Sequence, residues 1–207
     1  MTNYIITNQA KFILSLFGHH GVFIDIGAYD GLEGSNTYLL ESYGWSGVCI
    51  EPNPEPFYRL QRNRKCECLN IGLSDTDDSK EFISVNGYAE QISCVVNTAL
   101  EEHLKRIENE ITVCGGRQNK IIIQCQTFNS TIDIIDIEYV SIDAECHELS
   151  ILKGIDFEKY NIKVISYEDN GYSVDQCEEY LLNHGFEYLT TIDIDKFYKN
   201  KTFKIGT

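Results

Sequence analysis

Short apolar runs recur along the chain, and each gives way to a glycine- or acid-bearing turn and then to a stretch with helical spacing. Residues 22–26 (VFIDI), 46–51 (SGVCIE) and 66–71 (CECLNI) read as strands. Between them, 35–43 and 54–63 read as helices, the first with Ser35 or Asn36 as N-cap and the second with Phe57 and Leu60 three apart. This is the βαβαβ pattern of a parallel, doubly wound sheet. The middle differs: 81–85 and 121–128 read as strands, 98–110 as a charged helix, and Gly115-Gly116 as a turn. The alternation then resumes with strand 138–143, helix 145–153, strand 163–168 and helix 174–184, the last closed by Gly185. Strands at 186–192 and 202–205 form an antiparallel closing pair.

The fold class these elements predict is α/β: a Rossmann-like, doubly wound, mostly parallel sheet with helices on both faces and an antiparallel closing strand. Residues 1–207 form one domain, with an N-terminal segment 1–20 carrying a helix at 8–17 and an inserted elaboration at about 80–130.

In an open α/β sheet, ligands sit beyond the carboxyl ends of the strands, at the switch point. Five strand ends here deliver glycine or polar residues to one rim: Asp25 to Gly31; Glu51; residues 72–75; Asp143 and Glu145; and Glu168, Asp169 and Asn170. The glycines at 27, 31 and 34 do not fit a G-x-G-x-x-G dinucleotide turn, and Asp25 and Asp30 repel a pyrophosphate. Carboxylates suit a ligand with cationic and hydroxyl-bearing faces, such as S-adenosylmethionine. Glu51, 24 residues after Gly27 at the end of the second strand, stands where an acid accepts both ribose hydroxyls. Asp25 either contacts the ligand or holds the turn; Ser35, Asn36 and Thr37 either contact it or cap a helix.

Charge narrows the partners. The chain has 17 Lys+Arg against 32 Asp+Glu, a net charge of -15, which argues against a nucleic-acid surface. The one basic cluster, Arg59, Arg62, Arg64 and Lys65, reads as a solvated helix face. The apolar run 12–17 is too short for a signal core or a membrane span, and no basic leader precedes it. The eight cysteines include no CxxC, so reduced thiols and a cytoplasmic location are expected, without a membrane partner.

Three blocks, DIGAYDGLEGSNTYLLE, GWSGVCIEPNP and SIDAECHELSILKG, together resemble the FkbM family of S-adenosylmethionine-dependent methyltransferases over about residues 21–170. The family pattern in the third block is close to D-x-E-G-H-E; Cys146 stands here in place of its glycine. The resemblance implies a class I methyltransferase fold and methylation of hydroxyl oxygens, often on sugars or natural products. It puts Gly27, Ala28, Asp30 and Gly31 in the first cofactor motif and Ser35, Asn36 and Thr37 at the family's S-N-T. Glu51 becomes the ribose acid, with Pro52 and Asn53 extending its loop. Residues 70–75, including Gly72 and Leu73, border the adenine, and Asp143 completes the cofactor set.

Candidates for acceptor chemistry are Asp143, Glu145, His147 and Glu168. A magnesium ion on Asp143, Asp169 and Asn170 is an open variant, against a plain D-N-G turn. Tyr88, Gln91, Ser93 and Phe128 are expected to line an acceptor pocket walled by the elaboration. The expected function is O-methylation of a sugar, glycan or other small molecule. A non-catalytic cofactor-binding module and a nicotinamide-dependent dehydrogenase are the alternatives.

Overall fold

The computed structural model describes residues 7–171 and 174–205; residues 1–6 of the expected N-terminal segment lie outside the described residues. Helix α1 (Asn8–Phe17) is capped by Thr7, whose hydroxyl accepts the Ala10 N–H. There follow β1 (Val22–Ile26), α2 (Tyr38–Ser42), β2 (Ser46–Ile50), α3 (Pro54–Asn63) and β3 (Glu67–Leu69). The elaboration comprises β4 (Gly72–Leu73), β5 (Asp78–Asn86), a short 3-10 turn at Glu90–Ile92, β6 (Cys94–Val95), α4 (Glu101–Cys114) and β7 (Arg117–Gln126). The chain ends with α5 (Phe128–Thr131), β8 (Asp136–Ile142), α6 (Glu148–Lys153), β9 (Asn161–Glu168), α7 (Val174–Asn183), β10 (Phe186–Ile192) and β11 (Asp195–Asn200).

Seven strands form the main sheet in the order β3-β2-β1-β8-β9-β11-β10. All neighbours are parallel except β11, which runs antiparallel to β9 and β10. Alternate residues of the central strands feed two cores on opposite faces. Ile24, Ile50 and Val140 pack with Ile151 of α6 and Leu181 of α7. Phe23, Cys49 and Tyr139 pack with Ile13 of α1, Leu40 of α2 and Leu60 of α3. The helices therefore cover both faces. Strand order reverses between β1 and β8, so the switch point opens beside Ile26 and Ile142.

The elaboration is a second sheet, β4-β7-β5-β6, with α4 across it. It buries its own small apolar clusters, one around Val85, Cys94 and Ile107 and one around Phe82, Ile123 and Cys125. No described helix is long and apolar enough to cross a membrane.

Several boundaries differ from the sequence expectation. The closing strand is Asp195–Asn200, not 202–205: Asp193, at φ 54, and Ile194 make a tight turn, so the partner strand begins at once. Its sequence, DKFYKN, looks polar because only Phe197 and Tyr198 anchor it in the core. The third strand stops at Leu69 because the chain crosses to the second sheet at Gly72. The helix expected from 145 starts at Glu148, since Glu145 and Cys146 have φ of 46 and 78. The first core helix starts only at Tyr38, and the charged helix runs Glu101–Cys114.

Candidate active site

The turn after β1 is built from beneath. Asp25, 5% exposed, accepts a short hydrogen bond from the Thr37 hydroxyl and faces the Arg64 guanidinium at 3.6 Å. Burial raises the Asp25 pKa, and Arg64 and Thr37 oppose the rise. Arg64 also donates to the Gly31 carbonyl (3.4 Å), Ser35 Oγ (3.3 Å) and Thr37 Oγ1 (2.9 Å), and pairs with Glu41 at 3.2 Å. It is a buried hub that shapes residues 31–37. The solvated-face reading of the basic cluster is thus corrected for Arg64, and also for Arg59, which pairs with the buried Glu90. Arg62 and Lys65 are exposed as expected.

Gly27 is required by packing. Its φ is 83, and a Cβ there would lie 1.7 Å from the Asp143 carbonyl oxygen. The missing side chain lets the ends of β1 and β8 touch. The Gly27 and Ala28 N–H groups both donate to the Ile50 carbonyl (2.9 and 3.0 Å). Asp30 folds its carboxylate onto the Leu32 and Glu33 N–H groups, both at 2.9 Å, and so forms the turn. Ser35 Oγ accepts the Tyr38 N–H (3.0 Å), a capping contact, while Asn36 donates to Asp195 (3.0 Å) and Ser141 (3.3 Å).

Glu51 follows β2 directly. One carboxylate oxygen accepts the Tyr29 N–H (2.9 Å) and the other the Asn53 N–H (2.7 Å). Each oxygen keeps a second lone pair. Burial pushes the Glu51 pKa up to about 7, against those two bonds and with help from Glu90 and Asp25.

Across the switch point, acid oxygens of Asp143, Glu145 and Glu168 converge within 4.8 Å of one another. Asp143 opens to the cleft but is hemmed in by protein; that desolvation, then Glu168 and Glu145, holds its pKa well above the usual range. Burial and then Glu168 push Glu145 up to about 8, against Arg106. Glu145 Oε2 lies 3.4 Å from both Arg106 Nη1 and His103 Nδ1, side chains of α4, and accepts from Asn170 at 3.3 Å. Neither His103 nor Arg106 was legible as a site residue.

His147 does not stand free as a base. Its Nδ1 bonds the Thr98 hydroxyl (2.9 Å) and its Nε2 the Ser74 hydroxyl (3.1 Å). Burial, then Lys80, lowers its pKa to about 4. Neutral and doubly bonded, it ties the main sheet to the elaboration. Asp169 is likewise taken: it pairs with Lys196 (2.9 Å) and accepts the Gly171 N–H (2.9 Å). The metal set Asp143, Asp169 and Asn170 is corrected accordingly, with Glu145 and Glu168 beside Asp143 instead.

Cys146 occupies the left-handed backbone region at φ 78 where the family pattern has glycine. A non-glycine residue there costs about 1–2 kcal/mol, offset in part by the greater unfolded-state freedom of glycine. Cys146→Gly is expected to raise stability by about 0.5–1 kcal/mol in urea unfolding.

These groups face one cleft of ≈ 1190 Å³ including its open mouth. Asp25, Gly27, Ala28, Ser35, Asn36, Glu51, Pro52, Gly72, Leu73, Asp143, Glu145, His147 and Glu168 line it. Asp30, Gly31, Thr37 and Asn53 stand behind the wall. Asn53, 1% exposed, joins the Glu51 loop to Ser84 (3.0 Å) and Ser93 (3.2 Å) of the elaboration. Gln91 and Ser93 line the cleft as expected. Tyr88 is instead 82% exposed and Phe128 fully buried in the main core, so neither is a lining residue. Tyr29 and Glu90, joined at 3.0 Å through the tyrosine hydroxyl, line the cleft without having been foreseen.

The strand order, the antiparallel β11 and a cleft between the β1 and β8 ends define a class I methyltransferase fold. The family model described as the methyltransferase FkbM domain matches residues 25–188. The chain belongs to the FkbM methyltransferase family. Among solved structures, it is similar to a TehB-like SAM-dependent methyltransferase from Corynebacterium glutamicum, at 11% identity and TM-score 0.51, covering 94% of this chain and 86% of that one. It is also similar to a protein in the NADB-Rossmann superfamily from Streptococcus agalactiae, at 10% identity and TM-score 0.50, covering 96% and 70%. No curated protein matches the chain significantly.

Proposed function

We propose that the chain transfers the methyl group of S-adenosylmethionine to a hydroxyl oxygen of a sugar, glycan or other small molecule. The observation that carries this reading is Glu51. Its carboxylate is pinned by two backbone N–H groups, faces the cleft, and lies on the same rim as Asp143. It suits a ribose diol, and the acids beyond β8 and β9 suit the sulfonium side and the acceptor. The loop N–H groups that a pyrophosphate would need are spent on Ile50, which disfavours a dinucleotide.

Methyl transfer is an in-line displacement: the acceptor oxygen attacks the methyl carbon, the carbon–sulfur bond breaks, and the hydroxyl proton leaves. Holding the oxygen in line supplies much of the rate. One of the two acids at this end of the cleft, Asp143 or Glu168, in its ionised form accepts the hydroxyl's hydrogen bond and takes its single proton.

Calorimetric titration with S-adenosylhomocysteine tests the cofactor half. The wild-type chain is expected to bind, and Glu51→Ala to weaken binding about a hundredfold, as two charge-assisted hydrogen bonds are lost. No wild-type binding, or binding unchanged by the substitution, removes the reading. The pH dependence has a fixed sign. Ribose hydroxyls donate to the ionised acid, and Glu51 titrates at about 7 in the free protein. Affinity therefore falls as pH drops through that value, by about tenfold from pH 8 to pH 6. A flat profile on the same instrument counts against Glu51 as the ribose acid.

A further inference from the structure

The acids beyond β8 and β9 crowd three carboxyl groups together at the cleft floor. Asp143, Glu145 and Glu168 bring ligand-capable oxygens within 4.8 Å of one another. Among the described residues, Arg106 is the Lys or Arg in ion-pair contact with the trio, 3.4 Å from Glu145 Oε2, and its side chain is 38% exposed. Three clustered carboxyl groups thus share one guanidinium, itself partly exposed, at the cleft floor. Asn170 donates to Glu168 Oε2 (2.6 Å) and Glu145 Oε2 (3.3 Å), orienting both acids while adding no charge.

His103 is a second and separate observation. It is 0% exposed, on the elaboration's helix α4. Its Nε2 meets the Ile92 carbonyl at 3.0 Å, and since a carbonyl only accepts, that nitrogen carries the proton. In the neutral ring, Nδ1 then presents a lone pair. That atom has no hydrogen-bond partner and points at Glu145 Oε2 from 3.4 Å. The clustered acids are served by the Arg106 guanidinium and the Asn170 amide, while the buried Nδ1 lone pair beside them meets no electron-poor centre.

We infer that Asp143, Glu145 and Glu168 bind one hard divalent cation, magnesium or manganese, at the acceptor end of the cleft, with His103, Arg106 and Asn170 around the ligating acids. The all-oxygen donor set selects hard ions over zinc or copper. Groups from both strand ends and from α4 meet there, so the elaboration helps to shape the ion's surroundings. This rests on the methyltransferase reading only for its use: such an ion binds and polarises an oxygen-bearing acceptor, preferably a vicinal diol.

The test reads the ion, not turnover. The full chain, stripped with EDTA and exchanged into 0.15 M salt, is titrated with manganese and followed by electron paramagnetic resonance, with magnesium as competitor. One manganese per chain with a sub-millimolar Kd is expected, displaced by magnesium. Glu168→Gln, which keeps the oxygen facing Asn170, and Glu145→Gln are each expected to weaken it about a hundredfold. Circular dichroism melting of each variant excludes unfolding as the cause. No binding in that range overturns the site, as does binding that both folded variants leave unchanged, which would mean scattered surface acids. Titration of the same samples with S-adenosylhomocysteine separates the two claims: manganese binding without it sinks the cofactor reading alone, and the reverse sinks the cation site alone.

Discussion

Gly27→Ala is expected to lower stability by about 3 kcal/mol or more and to abolish S-adenosylhomocysteine binding. Two costs add. An alanine in the left-handed region costs about 1–2 kcal/mol. Its Cβ would also sit 1.7 Å from the Asp143 carbonyl oxygen. The obstacle is backbone, so relief requires the ends of β1 and β8 to part, and overpacking of this kind costs about 1–3 kcal/mol. For a domain of this size, that corresponds to a melting point lower by about 10 °C. Gly34→Ala is the control. Gly34 has φ 67 but open space around its Cβ position, so only the backbone term applies, about 1 kcal/mol. Equal losses in the two variants, measured by urea unfolding, would show that the contact between strand ends does not matter.

The second large effect is expected at Arg64. Its guanidinium side chain has no solvent exposure and serves Asp25, Glu41, the Gly31 carbonyl, Ser35 and Thr37 together. Arg64→Met fills much of the space but leaves the buried Asp25 and the half-buried Glu41 without their cation, which costs about 3–5 kcal/mol. Because its partners lie in residues 31–37, cofactor affinity should fall with stability. Adding Asp25→Asn removes one of the stranded charges. The double variant should therefore be less destabilised than the sum of the singles, by about 1–2 kcal/mol. Strict additivity in a double-mutant cycle would show that the two residues do not interact.

Arg64 also shows where the sequence stops being legible. It stands one residue past the end of α3, in extended backbone, and four basic residues within 59–65 read as a solvated cluster. Charged neighbours hid His103 as well. Within EEHLKRIENE it looks like surface, yet it stands four before Ile107 on the face that packs inward. Periodicity could have flagged His103, since a helix buries positions three and four apart whatever their polarity; Arg64, past its helix end, gives no such signal. The parallel half of the fold was readable because its strands are short, apolar and closely followed by turns. Glu51 and Asp143 were readable because an acid ending an apolar strand has few reasons to be there. Long-range pairing was not readable: nothing local shows that Asp169 is claimed by Lys196, or that both nitrogens of His147 are spent on hydroxyls. The shifted closing strand failed for the opposite reason, since β11 shows mostly polar letters while its two aromatic residues do the packing.

The two ends of the elaboration are hydrogen-bonded neighbours: Gly72 and Leu73 of β4 lie beside Cys125 and Gln126 of β7. An excursion that leaves and re-enters the main sheet at one point behaves as a cassette. Its ends are fixed side by side, and its inner residues Gln91, Ser93 and Arg106 line the cleft. The cassette is not independent of the first half of the sheet: Asn53 beside Glu51 bonds its Ser84 and Ser93, and its Glu90 meets Tyr29 and Arg59, so an exchanged cassette must bring matching partners for those residues.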